Sequence, residues 1–241
     1  MVRVPSVEHE DGRRLHRELE RLKKERTGHR NRLQSLLVTQ GVVLKPGRDF
    51  LQRLAGVVLW NGESLPSELK AELEWEYARL RLVEEQMRAL EAEQVKRLEG
   101  SERPELKQVL ALARVRGLGP GSAWVLVMEF FGWRGFRNRR EVGAAAGFVG
   151  TPYDSGQSTC EQGISKAGNW RVRTLMIGLG WSWVRYQPNS ALSRWFMERF
   201  GGSGKRSRRI GMVALARRLL IALWRYLEFG EVPAGAELKP V

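Results

Sequence analysis

Residues 10–38, EDGRRLHRELERLKKERTGHRNRLQSLLV, contain the pattern on which the predicted fold depends. One set of positions recurs at alternating steps of four and three residues, which places them along one side of an α-helix. The set consists of Leu15, Leu19, Leu22, Arg26, His29, Leu33 and Leu36. Its middle is polar, which weakens it as a seam between two helices. The pattern predicts one long charged helix over residues 10–38.

A second stripe with helical spacing follows a segment, 41–62, that is broken by Pro46 and several glycines. It consists of Leu69, Leu73, Tyr77, Leu80, Val83, Met87 and Leu90. Ser64 and Pro66 mark the start of the helix that carries it, which we expect to end near Leu98. Residues 1–100 are therefore predicted to form a long helical hairpin or a dimerising coiled-coil arm. Because such an arm buries only a narrow seam, we expect it to need a partner chain or a second domain, and a homo-oligomer is the simplest case.

Positive charge is concentrated in the C-terminal part of the chain. The formal net charge is +14; residues 1–100 contain 19 Lys and Arg against 17 Asp and Glu, whereas residues 101–241 contain 22 against 10. This distribution is typical of a surface that faces a polyanion, and it predicts a DNA-binding domain over residues 101–241. Helical patterns continue there, strand signals are sparse, and residues 150–168 suggest a polar loop. The predicted fold class is all-α.

Other residue types exclude several kinds of site. Cys160 is the single cysteine of the sequence, so it cannot form an intrachain disulfide or a cysteine-rich zinc site. His9, His16 and His29 match no metal-ligand spacing, and we expect no metal site within the chain. No apolar run approaches the roughly 20 residues that span a bilayer. We expect no membrane contact and a cytoplasmic, nucleoid-associated protein.

A glycine-rich turn between two predicted helices is the first candidate for phosphate binding. Glycines around one apolar residue allow a tight turn, and the following helix start presents free N–H groups to an anion. This arrangement resembles a helix-hairpin-helix element, which grips DNA backbones without reading sequence. An ordinary helix connection is the alternative. The candidate DNA-binding residues here are Arg114, Arg116, Gly117, Gly119 and Gly121.

The segment from Gly147 to Arg173 is the second candidate, because it combines an accessible serine with cations. Ser155 precedes a glycine, and a serine becomes a nucleophile when a base takes its proton and cations receive the developing charge. The cations are Lys166, Arg171 and Arg173, and Asn169 is a candidate N-cap for the helix that follows. A Ser-Gly pair that only forms a turn is the alternative.

A third basic patch precedes the last apolar helix of the chain. It consists of Lys205, Arg206, Arg208 and Arg209. A solvated charge run is the plainest interpretation, but in so basic a domain we favour a phosphate site.

Five motifs, in this order, carry a resemblance to a known family. They are Arg116-Gly117-Leu118-Gly119, TPYDSG at 151–156, QGISKAGN at 162–169, RRIG at 208–211 and VALARRLL at 213–220. The chain resembles the DEDD-type bacterial insertion-sequence transposases of the IS110 family, which act as RNA-guided serine recombinases. The resemblance is strongest over about 108–235 and extends to the helical arm.

The resemblance implies a DNA strand-exchange enzyme in which a serine attacks a phosphodiester and becomes joined to DNA. That serine corresponds to Ser155, with Ser158 and Ser165 as alternatives. It also implies a guide RNA, and Mg²⁺ bound by four carboxylates of an N-terminal RuvC-like domain in the complete enzyme. Thr159-Cys160 stands where relatives tend to carry arginines, which puts phosphate contacts from that side in doubt.

We expect the chain to be a truncated transposase that lacks the RuvC-like domain and is inactive alone. The alternative is a non-catalytic DNA-binding remnant or regulator that dimerises with full-length transposase. A third interpretation is a coiled coil that binds a partner protein.

Overall fold

The chain is mostly helical, which confirms the predicted all-α class. The computed structural model describes residues 4–155 and 158–240, and within 152–162 it describes the backbone only. The helices are α1 (Val7–Asp11), α2 (Arg14–Val38), α3 (Phe50–Ala55), α4 (Ser67–Leu98), α5 (Pro104–Ala113), α6 (Pro120–Leu126), which continues into a π-helix (Val127–Phe131), α7 (Arg139–Ala145), α8 (Trp170–Tyr186), α9 (Ala191–Phe200) and α10 (Lys205–Phe229).

The segment 150–168, predicted as a polar loop, contains a β-hairpin. Strand β1 (Gly150–Ser155) pairs with β2 (Ser158–Ile164) in antiparallel register, with an irregularity near Gly150. Glycine, proline, aspartate and serine are depleted in strands and enriched in turns, so the composition of this segment hid the strands. The prediction of a loop was wrong for most of its length.

The chain divides into two compact units. Arg14–Glu99 forms the first, here called the helix-pair unit; the chain up to Arg13 together with Gly100 onward forms the second, here called the basic unit. The predicted helix over 10–38 is interrupted at the same place, because α1 ends at Asp11 and α2 begins at Arg14. Arg13 Nε donates a hydrogen bond to the backbone oxygen of Met128 at 3.2 Å, which fixes the first segment to the basic unit.

The helix-pair unit is an antiparallel hairpin of α2 and α4. The first half of α2 packs against the second half of α4, and the second half of α2 against the first half of α4. The two buried clusters are Leu19 and Leu22 with Val83 and Met87, and Leu33 and Leu37 with Leu73, Tyr77 and Leu80. Of the two predicted arrangements, the chain itself forms the hairpin. Assembly through this unit stays a prediction.

His29, in the polar middle of the α2 stripe, contacts a buried carboxylate of α4. Glu76 is 3% exposed, and its carboxylate lies 2.7 Å from Nδ1 of His29 and 2.9 Å from Nη1 of Arg79. Burial alone would raise the pKa of Glu76. The hydrogen bonds from His29 and Arg79 and the nearby charges of His29 and Arg32 outweigh burial and hold this pKa below its ordinary value of 4.5.

Glu76→Gln is expected to lower the free energy of unfolding by about 1–2 kcal/mol at neutral pH, because the charge-assisted hydrogen bonds are lost. Since the pKa of Glu76 is lowered on folding, its contribution is complete above pH 4.5 and is lost as the pH falls through the folded-state pKa. Urea denaturation followed by circular dichroism should therefore show that the free energies of unfolding of the unchanged chain and of Glu76→Gln converge in acid. Glu74→Gln, an exposed position on the same helix, is the matched control. Equal stability of both variants at neutral pH would contradict the assignment.

The core of the basic unit is built around α10, which packs against α8, α9, α7 and α5. The α10 side chains Leu215, Leu219, Leu220 and Leu223 are fully buried, as is Trp183 of α8. The indole of Trp183 donates to Oγ of Ser190 at 2.8 Å, which ties α8 to the start of α9.

Among the described helices, α10 included, none has the length and apolar character to cross a membrane.

Candidate nucleic-acid interface

A groove of about 810 Å³ lies along α10 in the basic unit and is here called the α10 groove. Its apolar lining includes Leu192, Ile210 and Val213, with Ile210 60% exposed. The start of α7 and the base of the β-hairpin also line it. The groove therefore offers an open apolar surface beside the segment that carries the predicted nucleophile.

Four arginines line the α10 groove: Arg139 and Arg140 from α7, and Arg217 and Arg218 from α10. The guanidinium carbon of Arg218 lies 4.0 Å from the ring centre of Trp195, which holds this side chain in place. Among the described residues, no acidic side chain lines the groove and none pairs with these four arginines. The positive charge of the groove is therefore uncompensated within the described part of the chain.

The β-hairpin begins at the edge of the α10 groove. Gly150 of β1 and Gly163 and Ile164 of β2 line the groove, whereas Ser155 ends β1 opposite Ser158. Ser155 lies five positions after Gly150, and at the usual strand rise, with the irregularity near Gly150, this places the Ser155 backbone about 15 Å along the strand. The side chains of Ser155 and Ser158 lie outside the described residues, so their role as nucleophile stays a prediction.

The connection after the hairpin crosses back over the end of α7. Backbone N–H groups of Ser165, Lys166 and Asn169 donate to the carbonyl oxygens of Val149, Gly147 and Ala145, at 2.7, 3.2 and 3.0 Å. Gly168 lies in this crossing so closely that an added Cβ would sit 2.4 Å from the Ala145 oxygen and from the Gly147 nitrogen. Close backbone packing at this glycine therefore sets the position of the hairpin base relative to α8.

Asn169 is the N-cap of α8, which confirms its predicted role. Its Oδ1 accepts from the backbone N–H groups of Arg171 and Val172 at 3.0 and 3.2 Å. Its Nδ2 donates to the buried carboxylate of Glu129, in the π-helix, at 3.2 Å. The same amide therefore begins α8 and joins it to the π-helix.

The three predicted cations of this segment occupy different surroundings. Lys166 is exposed and adopts a left-handed backbone conformation with φ 57°. Arg171 is half-buried, with its guanidinium carbon 4.7 Å from the ring centre of Trp170. Nη1 of Arg173 donates to the carbonyl oxygens of Ala146 and Lys166 at 3.3 and 3.1 Å. Part of its guanidinium therefore joins the end of α7 to the connection that follows the hairpin. Phosphate contacts from all three stay predictions.

The predicted phosphate-binding turn joins α5 to α6 and is packed against other parts of the basic unit. Gly117 has φ +93°, and its carbonyl oxygen accepts from Ser182 Oγ at 2.9 Å. Arg116 forms an ion pair with Glu237, and Lys239 Nζ donates to the carbonyl oxygens of Ala113 and Leu118, each at 2.8 Å. The remaining predicted residues of the turn, Arg114, Gly119 and Gly121, are exposed. Anion binding by this turn stays a prediction.

The third predicted patch forms the first turn of α10, the helix whose next turns line the α10 groove. Lys205, Arg206 and Arg209 are exposed. Arg208 is half-buried, and its Nε has no hydrogen-bond partner among the described residues. The patch therefore continues the positive surface of the groove toward the start of α10.

Sequence reasoning did not identify Arg139, Arg140, Arg217 and Arg218 as binding residues. A signal was present for the α10 pair, because Ile210, Val213, Ala214 and Arg217 follow one helix face. The contribution of α7 depends on tertiary packing between α7 and α10, which no local pattern encodes.

Residues 109–194 match the family described as Transposase IS116/IS110/IS902 family. The chain is 42% identical over 252 residues to "Putative transposase y4rJ" of Sinorhizobium fredii, an alignment that covers 99% of this chain and 63% of that protein. It is 30% identical over 237 residues to "Probable family 20 transposase" of Pseudomonas aeruginosa, covering 94% and 66%. It is 26% identical over 163 residues to the transposase for insertion sequence element IS1328 of Yersinia enterocolitica, covering 68% and 47%. The chain thus spans less than two thirds of the length of these relatives.

Proposed function

We propose that this chain acts in DNA transposition, because residues 109–194 match the IS116/IS110/IS902 transposase family. The α10 groove binds the phosphodiester backbone of DNA, and a serine of the neighbouring β-hairpin attacks a DNA phosphate. The observation that carries the proposal is the set of four arginines in the groove, which have no carboxylate partner among the described residues.

The composition of the α10 groove suits a nucleic-acid backbone. Guanidinium groups bind phosphate oxygens through two parallel hydrogen bonds, and they are less strongly hydrated than ammonium groups. The apolar lining residues Leu192, Ile210 and Val213 can contact sugars, which alternate with phosphates along the strand. Contacts of this kind position a duplex without reading its sequence. Selection of a particular DNA site then requires another component that recognises base sequence, and family resemblance suggests that a guide RNA does this.

The proposed chemical step is a transesterification. Oγ of Ser155 forms a bond to phosphorus, and the bond from phosphorus to one sugar oxygen breaks. The serine gives up its proton and the departing sugar oxygen takes up a proton, so the exchange is balanced and needs no oxidant or reductant. Lys166, Arg171 and Arg173 lie near the hairpin base, about 15 Å along the strand from Ser155, so their proposed role is to bind the neighbouring DNA backbone. Ser158, across the hairpin from Ser155, and Ser165 are the alternative nucleophiles.

Family resemblance also implies Mg²⁺ in the complete enzyme. Among the described residues, no group of three or more histidine, cysteine, aspartate or glutamate side chains is arranged to hold a metal ion. The described residues do not fit a magnesium site. We also propose, from the same family resemblance, that the chain assembles through the helix-pair unit and associates with the nucleoid.

Arg217→Gln/Arg218→Gln is expected to weaken binding of duplex DNA about tenfold and to reduce the slope of log affinity against log salt by about two, one for each lost phosphate contact. Fluorescence anisotropy with a labelled duplex from an insertion-sequence end measures both quantities. Arg139→Gln/Arg140→Gln tests the contribution of α7, where both side chains are exposed.

The matched control for both variants is Arg185→Gln/Arg199→Gln. It removes the same charge from exposed positions of the basic unit that do not line the groove. If both groove variants bind DNA like the control, the α10 groove is not the DNA site.

A further inference from the structure

A second arginine-lined groove lies within the helix-pair unit, separate from the α10 groove. It has a volume of about 690 Å³ and is here called the helix-pair groove. Five arginines line it: Arg26 and Arg30 from α2, Arg48 from the following loop, and Arg81 and Arg88 from α4. The unit as a whole contains 17 Lys and Arg against 14 Asp and Glu. The groove is therefore a local concentration of positive charge in a nearly balanced unit.

The carboxylates at the helix-pair groove do not neutralise it. Among the described residues that line it, Glu84 and Glu91 are acidic. Glu84 is shared between Arg81, at 3.0 Å, and Arg30, at 3.7 Å. The side chains of Arg26 and Arg48 have no hydrogen-bond or ion-pair partner in the described part of the chain. Three positive charges therefore remain in excess around one cavity.

This pattern differs from the arginines on other faces of the same helices. Arg21 of α2 pairs with Glu18 and Glu25, and Arg97 of α4 pairs with Glu93. Such i to i+3 and i to i+4 pairs are the usual state of arginines on a charged helix surface. Arginines of the groove that lack such a partner face a shared cavity, which favours a ligand rich in acceptor oxygens.

The loop that carries Arg48 is held in place by contacts with Tyr77 of α4. The Tyr77 hydroxyl donates to the carbonyl oxygen of Gly47 at 2.8 Å, and the Tyr77 ring stacks on Phe50 with 4.9 Å between ring centres. Leu80 and Met87, which also line the groove, are buried. The loop is therefore fixed against α4, and less ordering entropy is lost when a ligand binds.

We propose that the helix-pair groove binds the phosphodiester backbone of a nucleic-acid strand and is a second nucleic-acid site of this chain. Five guanidinium groups around one cavity supply paired donors for successive phosphates. The carboxylate of Glu84 orients Arg30 and Arg81, and Arg26 and Arg48 bind phosphate directly. The proposal goes beyond the proposed function and requires neither the serine step nor the α10 groove. RNA and DNA share the chemistry that the groove recognises.

The test uses the full chain and labelled strands of one sequence as single-stranded RNA, single-stranded DNA and duplex DNA. Arg26→Gln/Arg48→Gln is expected to weaken binding of at least one strand type about tenfold and to lower its salt slope by about two. The control, Lys70→Gln/Lys96→Gln, removes the same charge from exposed positions of α4 outside the groove. Arg48→Gln/Arg88→Gln is a second groove variant whose side chains are both exposed, so its folding is not in question.

The strand type whose binding is weakened in the groove variants identifies the ligand as RNA alone, DNA alone, or any phosphodiester backbone. If both groove variants bind all three strands as the control does, the proposal is overturned. Failure of the α10 groove variants would leave this result unaffected, because the two grooves are tested by separate substitutions. If both sites are real, the logarithmic losses of a combined variant should add for a strand that occupies both.

Discussion

Ser155→Ala is expected to abolish the covalent protein–DNA adduct that the proposed transesterification leaves behind. Alanine lacks the oxygen that forms the bond to phosphorus, so the loss should be complete while DNA binding through the α10 groove continues. The assay incubates the chain with insertion-sequence DNA, RNA transcribed from the same element, Mg²⁺ and a full-length family transposase whose own nucleophilic serine is replaced by alanine, followed by denaturing gels. The added protein supplies the carboxylates that the resemblance assigns to the RuvC-like domain. Binding of the same DNA to the variant, measured by anisotropy, shows that the fold and the groove are retained.

Ser158→Ala and Ser165→Ala are the matched controls, because both make the same chemical change in the same segment. An adduct lost only in one of these two variants would move the nucleophile to that position. An adduct that persists in all three variants would exclude a nucleophile at these serines. If the unchanged chain forms no adduct but binds DNA with a steep salt dependence, the serine step is wrong for this chain and the non-catalytic DNA-binding alternative is supported.

Gly168→Ala is expected to lower the free energy of unfolding by about 3 kcal/mol, at the upper end for overpacked positions. The added Cβ would lie 2.4 Å from backbone atoms of Ala145 and Gly147 and 2.6 Å from the carbonyl carbon of Ala146. Because all three neighbours are backbone, no flexible side chain can move aside. The crossing must open and lose its hydrogen bonds, which also displaces the hairpin base from the α10 groove. Urea denaturation followed by tryptophan fluorescence measures the change.

Gly178→Ala is the matched control for this substitution. Gly178 lies within α8, and an added Cβ there meets no atom within 4 Å. Alanine is favoured over glycine inside a helix, so this variant should be unchanged or up to about 1 kcal/mol more stable. A Gly168→Ala chain as stable as the Gly178→Ala chain would contradict the close packing of the crossing.

The sequence was sufficient to predict the long helices, because each carries several turns of apolar residues at helical spacing. The helix predicted to follow Asn169 is α8, and Asn169 is its N-cap. The antiparallel pairing of α2 and α4 was one of two predicted arrangements. It could not be chosen in advance, since His29 and Arg26 interrupt the stripe and the buried partner of His29, Glu76, is 47 residues away.

Features that depend on long-range packing were not predictable in the same way. The β-hairpin is composed of residues that favour turns, so its pairing outweighs local propensity. The α10 groove draws Arg139 and Arg217 from segments far apart in sequence, and only the fold brings them to one cavity. The break between α1 and α2 depends on Arg13, whose contact with Met128 lies 115 residues away along the chain.

In the proposed function, the length of the β-hairpin sets the distance between the DNA phosphates that are bound and the phosphate that reacts. The backbone of Ser155 lies about 15 Å along the strand from the edge of the α10 groove. Along a duplex that runs parallel to the strand this is about four to five base pairs, at 3.4 Å for each. In the proposed function, the phosphate attacked by Ser155 is thus a different phosphate from those bound by Arg217 and Arg218. Footprints of the bound chain should accordingly be displaced from the cleavage position by about that number of base pairs.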